Sequence, residues 1–303
     1  MVMTIPSYSL LPARGLLAVS GEDAGTLLQG LISNDIGLVS PERAIYAALL
    51  TPQGKYLHDF FVLAQSDRAG FLLDCEAERL ADLARRLSMY RLRAQVQFTD
   101  VSADLLVAAL FGEGALALLS LPADEGCARP LEGGVIYVDP RLAGGGARTV
   151  LPAATTLATL AATGLSAAKP SAYDSWRLGH GLPDGSRDIA IDKALLLECG
   201  FDELHGIDYD KGCYIGQEIT ARTHYRAKIR KRLTPVAVDG PLPPPGTPIT
   251  DGADQPAGEL RSGREDRALA VLRLDRVAQA ERGEPLHAGQ TRLTIARPEW
   301  MRL

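Results

Sequence analysis

The stretch AIYAALLTPQGKYLHDFFVLAQ, residues 44–65, constrains this chain more than any other. Two apolar runs of strand length flank Thr51-Pro52-Gln53-Gly54. Those four residues have turn chemistry, a proline that presets φ and a glycine that accepts positive φ. Such a unit is an antiparallel hairpin. Around it, strands and helices interleave. LLAVSGEDAGTLLQGLISND (16–35) gives a short strand, a turn, and a helix that opens near Ser20 to Asp23 with acids in its first turn. CEAERLADLARRLSMY (75–90) is an amphipathic helix with Leu80, Leu83 and Leu87 on one face; its early acids and late arginines suit the helix dipole. The next residues alternate: Tyr90, Leu92, Ala94, Val96 and Phe98 against Arg91, Arg93, Gln95 and Gln97. That period of two predicts a half-buried strand with a cationic face. LLVAAL (105–110) and VIYVD (135–139) are further strands around a short helix. The sum is an α+β pattern without the regular rhythm of a large parallel sheet.

SAYDSWRLGHGLPDG (171–185) predicts a helix that ends near Gly179 or Gly181, with Pro183 as the stop. PLPPPGTP (241–248) is a proline-rich connector. The tail beyond it, from about residue 249 to 303, has short strands such as RALAVLRL and TRLTIA, and predicts a small all-β domain built as a compact barrel.

Composition narrows the function. At 303 residues the chain has room for about two domains, and its net charge of −5 draws it neither to nucleic acid nor to an anionic membrane as a whole. The most apolar stretch, LLVAALFGEGALALLSL, is broken by Glu113 and two glycines and is too short to span a bilayer. The N-terminus lacks a basic segment followed by a long apolar one, so no signal peptide is expected. Four scattered cysteines, Cys75, Cys127, Cys199 and Cys213, form no CxxC pair and suggest reduced thiols in a cytoplasmic setting. None of the five histidines stands at metal-ligand spacing from another His or a Cys, so no self-contained metal site is expected. FGEGALAL (111–118) has the glycine spacing of a dinucleotide-binding turn, but the helix after it is cut off by Pro122; a plain strand-to-helix turn is the better reading.

Chemistry concentrates in DKGCYIGQEITARTHYRAKIRKRL, residues 210–233. A lone cysteine is most often packing. Here Lys211 lies two residues before Cys213, and a helix is expected to begin near Gly216-Gln217. A cation and a helix N-terminus both favour thiolate over thiol. Gly212 and Gly216 let the backbone approach a ligand closely. Six cations, Arg222, Arg226, Lys228, Arg230, Lys231 and Arg232, follow within eleven residues. They read either as a solvated helix end or as an anion site, with nucleic acid the lesser option.

KGCYIGQEITAR (211–222) resembles the signature of the YgfZ family, Lys-Gly-Cys-Tyr/Phe-x-Gly-Gln-Glu with an arginine four residues on. Lys211, Gly212, Cys213, Tyr214, Gly216, Gln217, Glu218 and Arg222 fill every place. LLQGLISNDI (27–36) resembles another family segment, with Ser33 for the usual threonine, and TPQGKYLHDF and YRLRAQV also fit. The match covers nearly the whole chain and is closest to the mitochondrial iron–sulfur assembly branch and its bacterial relatives. The family is related to the aminomethyltransferase T-protein of glycine cleavage. The resemblance implies a three-domain cloverleaf with a small C-terminal β-barrel: a folate-binding region over 1–232, made of two interleaved α+β subdomains (one roughly 21–99), and a barrel over 233–303. It implies tetrahydrofolate binding, with Gln29, Asn34, Asp35, Asp59, Tyr90, Arg91, Arg93, Arg177 and Glu198 as candidate contacts. It also implies a part in making or maintaining iron–sulfur proteins, tRNA-modifying enzymes among them. The expected partners are A-type iron–sulfur carriers or client enzymes, which would share a transient cluster with Cys213 in a cavity-facing position; the expected state is monomeric. Lys211 would be the thiolate's electrostatic partner. Two departures from the T-protein stand out. Its Asp-Asp pair is His58-Asp59 here, and its Arg-Leu-Glu-Ala-Gly segment is Arg177-Leu178-Gly179-His180-Gly181, which lacks the carboxylate. Folate-dependent aminomethyl or one-carbon transfer is therefore the alternative reading, and a nucleic-acid-binding module the weaker one.

Overall fold

The turn at Thr51-Pro52-Gln53-Gly54 closes a hairpin: Ile45–Leu50 pairs antiparallel with Tyr56–Ala64, and Gly54 takes φ +70° at the bend. The computed structural model describes residues 4–65, 70–226 and 229–302. In chain order the first elements are β1 (Ser7–Leu10), β2 (Arg14–Ser20), α1 (Ala24–Gln29), β3 (Ile45–Leu50), β4 (Tyr56–Ala64), β5 (Gly70–Glu76), α2 (Leu80–Arg91) and β6 (Gln97–Asp100). Then come β7 (Leu105–Phe111), α3 (Ala115–Leu118), β8 (Ala128–Leu131), β9 (Gly134–Val138), β10 (Ala147–Pro152), α4 (Thr156–Ala162), β11 (Ser166–Ala167), α5 (Pro170–Gly179) and α6 (Gln217–Arg226). The last stretch holds β12 (Lys231–Asp239), β13 (Pro248–Asp251), β14 (Pro256–Arg264), β15 (Arg267–Arg273), α7 (Leu274–Ala280), β16 (Leu286–Ala288) and β17 (Thr291–Ile295).

Three sheets result. One has the order β3-β4-β5-β2-β6, a second β11-β1-β7-β10-β9-β8, and the third closes as a six-stranded barrel, β12-β15-β14-β13-β16-β17. β1 belongs to the second sheet and β2 to the first, so the chain crosses between them at Leu11–Ala13 and the two α+β units interleave from the start. β4 explains the unbroken apolar run in its sequence. Tyr56, Phe61 and Leu63 enter a core shared by both sheets, while Leu57, Phe60 and Val62 enter a second core under α1 and α2. A strand covered on both faces needs apolar residues at successive positions rather than at alternate ones. On α2, Leu80, Leu83 and Leu87 are buried as the periodicity requires, each contributing roughly 1.5–3 kcal/mol of burial. The barrel is tied to the rest through α5: the Arg177 guanidinium donates to Ser262 Oγ (2.8 Å) and pairs with Asp188 (2.9 Å), which accepts from the Ser262 N–H (3.0 Å).

Two expectations are corrected. Residues 90–98 are not one strand: α2 runs on through Arg91, Leu92 turns the chain at φ +43°, and only Gln97–Asp100 pairs with β2. The alternation of Tyr90, Leu92 and Ala94 coincides with a helix end and a loop, and Leu92 is 89% exposed rather than inward. The proline-rich segment joins two strands of the barrel: residues 241–247 form the loop between β12 and β13, so the barrel strands begin at Lys231, well before residue 249. FGEGALAL is the strand-to-helix turn between β7 and α3, with Gly114 at φ +78°.

Candidate functional site

Cys213 lies on a loop held down by a segment 180 residues earlier in the chain. The Lys211 ammonium donates to the main-chain carbonyls of Gln29 (2.8 Å) and Ile32 (2.6 Å), and the Gln29 amide returns a bond to the Lys211 carbonyl (3.0 Å). The Ile215 N–H donates to the Gly30 carbonyl (3.1 Å), and Asp208 Oδ1 accepts from the N–H groups of Asp210 (2.7 Å) and Lys211 (3.0 Å). LLQGLISNDI and KGCYIGQE, singled out separately in the sequence, thus clasp one another. Tyr214 is buried in the shared core, with the Lys211 ammonium 5.0 Å from its ring centre. Gly216, at φ +85°, closes the loop: a Cβ there would sit 2.7 Å from the Thr51 carbonyl oxygen and 3.1 Å from the α-carbon of Gly54. α6 follows at once, so its N-terminus does adjoin the loop, with the Gln217 N–H donating to the Tyr214 carbonyl (3.2 Å). Between these anchors Gly212, at φ +90°, and Cys213 are exposed, while Cys75 and Cys199 are buried. Burial pushes both of those thiols up to about 12.

Lys211 has a structural role that its sequence position did not show. Its ammonium is engaged by two carbonyls and an aromatic ring, and burial lowers it to about 8 against the opposing pull of Asp35 and Asp208. These bonds make it a fixture of the loop's shape. Glu218 and Arg222 stand one turn apart on the exposed side of α6, and Gln217 is half-buried at its start.

The second constellation is a cavity of about 130 Å³ between the two sheets and α5. Phe61 forms one wall, with the guanidinium carbons of Arg148, Arg141 and Arg14 at 4.3, 5.0 and 5.7 Å from its ring centre. Asp74, fully buried, pairs with Arg14 (2.6 Å) and Arg148 (2.7 Å), and Asp139 with Arg141 (2.7 Å). Burial works against the charge on Asp74, but the two arginines outweigh it and hold the carboxyl below its usual range. Asp59 differs. Burial raises it, against the pull of Arg14, and its oxygens accept from Tyr46 (2.8 Å) and Tyr56 (2.5 Å). The neighbouring His58 faces the other way, toward Asp82 (2.9 Å), and burial lowers it to about 4. Arg14, Asp74, Arg141 and Arg148 were not found from sequence. The available signal was a charge inside an apolar strand, as in FLLDCE and ARTVLP, which a folded chain tolerates only with a buried partner.

Of the folate candidates, Asp59 and Arg177 line this cavity. The rest do not gather there. Tyr90 lies in the last turn of α2, and Arg91 and Arg93 line a separate open groove of about 690 Å³ with Leu92. Gln29 and Asn34 are committed to main-chain groups: Gln29 to Lys211 and Ile36, Asn34 to Tyr46 and His205. Asp35 caps the 3₁₀ turn Ile36–Leu38, and Glu198 caps the 3₁₀ turn Leu196–Cys199. Pockets for small molecules run to roughly 300–1,000 Å³, and this one is under half the lower figure. With the Asp59 oxygens already bonded to two tyrosines, the residues present do not fit a whole reduced folate. Cys213 does not line the cavity either. The basic run is likewise divided: Arg232 is buried against Glu203, Lys231 lies 3.6 Å from Glu198, Arg222, Arg226 and Arg230 are exposed, and Lys228 falls outside the described residues.

The architecture is that of the aminomethyltransferase T-proteins. A crystal structure of glycine cleavage system aminomethyltransferase T from Bartonella henselae superposes with a TM-score of 0.78 over 99% of this chain and 87% of that one; at 17% identity the likeness is one of fold. The GCVT N-terminal domain family matches residues 13–126, and the CAF17 C-terminal beta-barrel domain matches residues 230–303. Within that class, the chain belongs to the family of the iron–sulfur cluster assembly factor IBA57. It is 32% identical to the human mitochondrial protein and 33% identical to that of Mus musculus, in each case over 96% of this chain and 84% of the relative. To the Mycosarcoma maydis homolog it is 32% identical over 88% of this chain and 73% of the relative. No helix among the described residues is long and apolar enough to cross a membrane.

Proposed function

We propose that this protein serves the assembly or maintenance of iron–sulfur clusters, with Cys213 as the thiolate that shares a cluster transiently with a partner. The observation that carries the reading is the placement of Cys213: an exposed thiol on a loop whose two flanks are clasped to residues 29–32 and whose closing glycine packs on the β3–β4 turn. A thiol used for packing would be buried, as Cys75 and Cys199 are. The relatives' names, iron–sulfur cluster assembly factor, support the same class. The cluster is cargo, ligated partly by Cys213 and partly by thiolates of the partner, since no group of three or more His, Cys, Asp or Glu side chains among the described residues forms a metal site. A-type iron–sulfur carriers are the partner class, and client enzymes, including those that modify tRNA, the destination.

The test is anaerobic mixing with an A-type carrier and a cluster donor, followed by size-exclusion chromatography read by visible absorbance and iron content. The wild type elutes with the carrier and iron; Cys213→Ser, which changes little volume at an exposed position, elutes without iron. Equal iron retention by the two proteins would refute the reading.

A further inference from the structure

The two open sheets end in the edge strands β3, β6, β8 and β11, and all but β6 are guarded. β3 is covered on its outer side, where the Ser33 N–H donates to the Ala48 carbonyl (2.9 Å) and the Ala44 N–H to the Gly126 carbonyl (2.8 Å). β8 carries Pro130, and β11 is two residues long. β6, QFTD, has neither proline nor lysine, the usual guards of an edge. It pairs with β2 through Gln97↔Ser20 and Thr99↔Ala18, and the ladder runs on to the Val101 N–H, which donates to the Leu16 carbonyl (2.9 Å). Alternate residues of an antiparallel pair bond inward. The N–H and C=O groups of Phe98 and Asp100 therefore point away from β2, and no strand meets them among the described residues.

The approach to this edge is open as well. The groove of about 690 Å³ lined by residues 20–22 and 91–97 reaches Gln97, the first residue of β6. On its rim Leu92 is almost wholly exposed while held at φ +43°, ψ −103°, a costly conformation for a leucine. Arg91 and Arg93 flank it, both exposed. The ion pairs on α2 are made by Arg85 and Arg86 with Asp82, and Arg91 has only a long bond to the Val96 carbonyl (3.4 Å). Of the nearby acids, Asp23 is engaged by the Gln95 N–H (2.7 Å) and Asp100 by the Ser102 hydroxyl (2.6 Å), which leaves Glu22 in the groove.

We infer that the β6 edge and the groove before it are a docking site for an extended acidic segment of a partner protein, which adds to the sheet as a further strand. The site shares no residue with the Cys213 loop and stands whether or not that thiol takes a cluster. Outward main-chain donors and acceptors are met by another main chain in strand form. Two unpaired guanidiniums against one carboxylate select acidic side chains on that strand, and Leu92 offers it an apolar contact. Nucleic acid fits less well, since two cations fall short of the roughly 6–10 phosphates that salt-dependent binders neutralise.

The test is fluorescence anisotropy of the full chain with a labelled peptide of alternating glutamate and valine, about ten residues long. Saturable binding tighter than about 1 mM is expected, weakening as salt rises. Arg91→Glu/Arg93→Glu should weaken it at least about tenfold. Asp100→Pro removes an outward N–H while sparing the bonds to β2, and should weaken it to a similar degree. Both variants should melt within about 2 °C of the wild type. The same peptide N-methylated at alternate amides keeps its charge and should not bind. Absence of saturable binding by the wild type would overturn the proposal, and so would equal binding of the N-methylated peptide, which would reduce the site to charge attraction. A dimer seen by light scattering and dissolved by Asp100→Pro, with no peptide bound, would assign the edge to a second copy instead. Sedimentation with phosphatidylserine vesicles in place of peptide binding would assign Leu92 and its arginines to a lipid surface.

Discussion

Replacing Asp74 with alanine isolates the bond between the two sheets. Its carboxylate, on β5, binds Arg14 of β2 at 2.6 Å and Arg148 of β10 at 2.7 Å, and accepts from the Tyr137 hydroxyl of β9 at 3.2 Å. All three partners are at most 8% exposed at the side chain or fully buried. Removing one partner of a buried pair costs about 3–5 kcal/mol, because the remaining charge is left without compensation. Here two guanidiniums are stranded beside Phe61. At about 2–4 °C per kcal/mol the melting temperature should fall by roughly 6–20 °C. Differential scanning calorimetry at pH 7 measures it, beside Asp275→Ala as control; that residue pairs with Arg273 at the surface, where solvent screens the pair and its loss should leave the melting temperature close to that of the wild type. The pH dependence has a definite sign. A carboxyl held low in the folded state stabilises above its unfolded pKa, about 3.9, and that contribution disappears as pH falls through the folded value. The gap between wild type and Asp74→Ala should therefore narrow below about pH 4. If the two melt within about 2 °C of each other at pH 7, the pair does not hold the sheets together and the argument fails.

Other outcomes follow from the site. Burial keeps His58 neutral in the folded state down to about pH 4, whereas the unfolded chain takes up the proton near 6.5; stability should fall as pH drops through that window, and His58→Gln should flatten the slope in denaturant titrations. Lys211→Met should speed hydrogen exchange of the 212–216 amides at least about tenfold while Cys213 alkylation follows the wild-type pH curve; a shifted curve with unchanged exchange would return Lys211 to the role of thiolate partner. Calorimetry with reduced folates should give no saturable heat, and a millimolar or tighter signal would show that the cavity beside Asp59 opens beyond its present size.

Much of this molecule was legible in its sequence, for reasons that can be named. The β3–β4 hairpin and α2 were set by local turn chemistry and by a clean period. Residues 90–98 failed because a period of two over a few residues looks the same in a strand and in a helix end followed by a loop. The loop with Cys213 was found through its motif, but its anchors were not, since Lys211 bonds to residues 179 and 182 positions away and no spacing rule reaches that far. The folate candidates were chosen by side-chain chemistry alone, and sequence could not show that the backbone engages Gln29 and Asn34.

The contact of Gly216 with Gly54 and Thr51 has a consequence for how such a loop can be inherited or engineered. Its conformation is written in three places: the motif itself, the carbonyls of residues 29–32, and a hairpin turn with no side chain where the loop passes. Grafted alone onto another T-protein-like scaffold, KGCYIGQE would arrive without its mould. A working transplant must carry residues 27–36 and 51–54 along with 208–217, three strips of sequence that together behave as one heritable part.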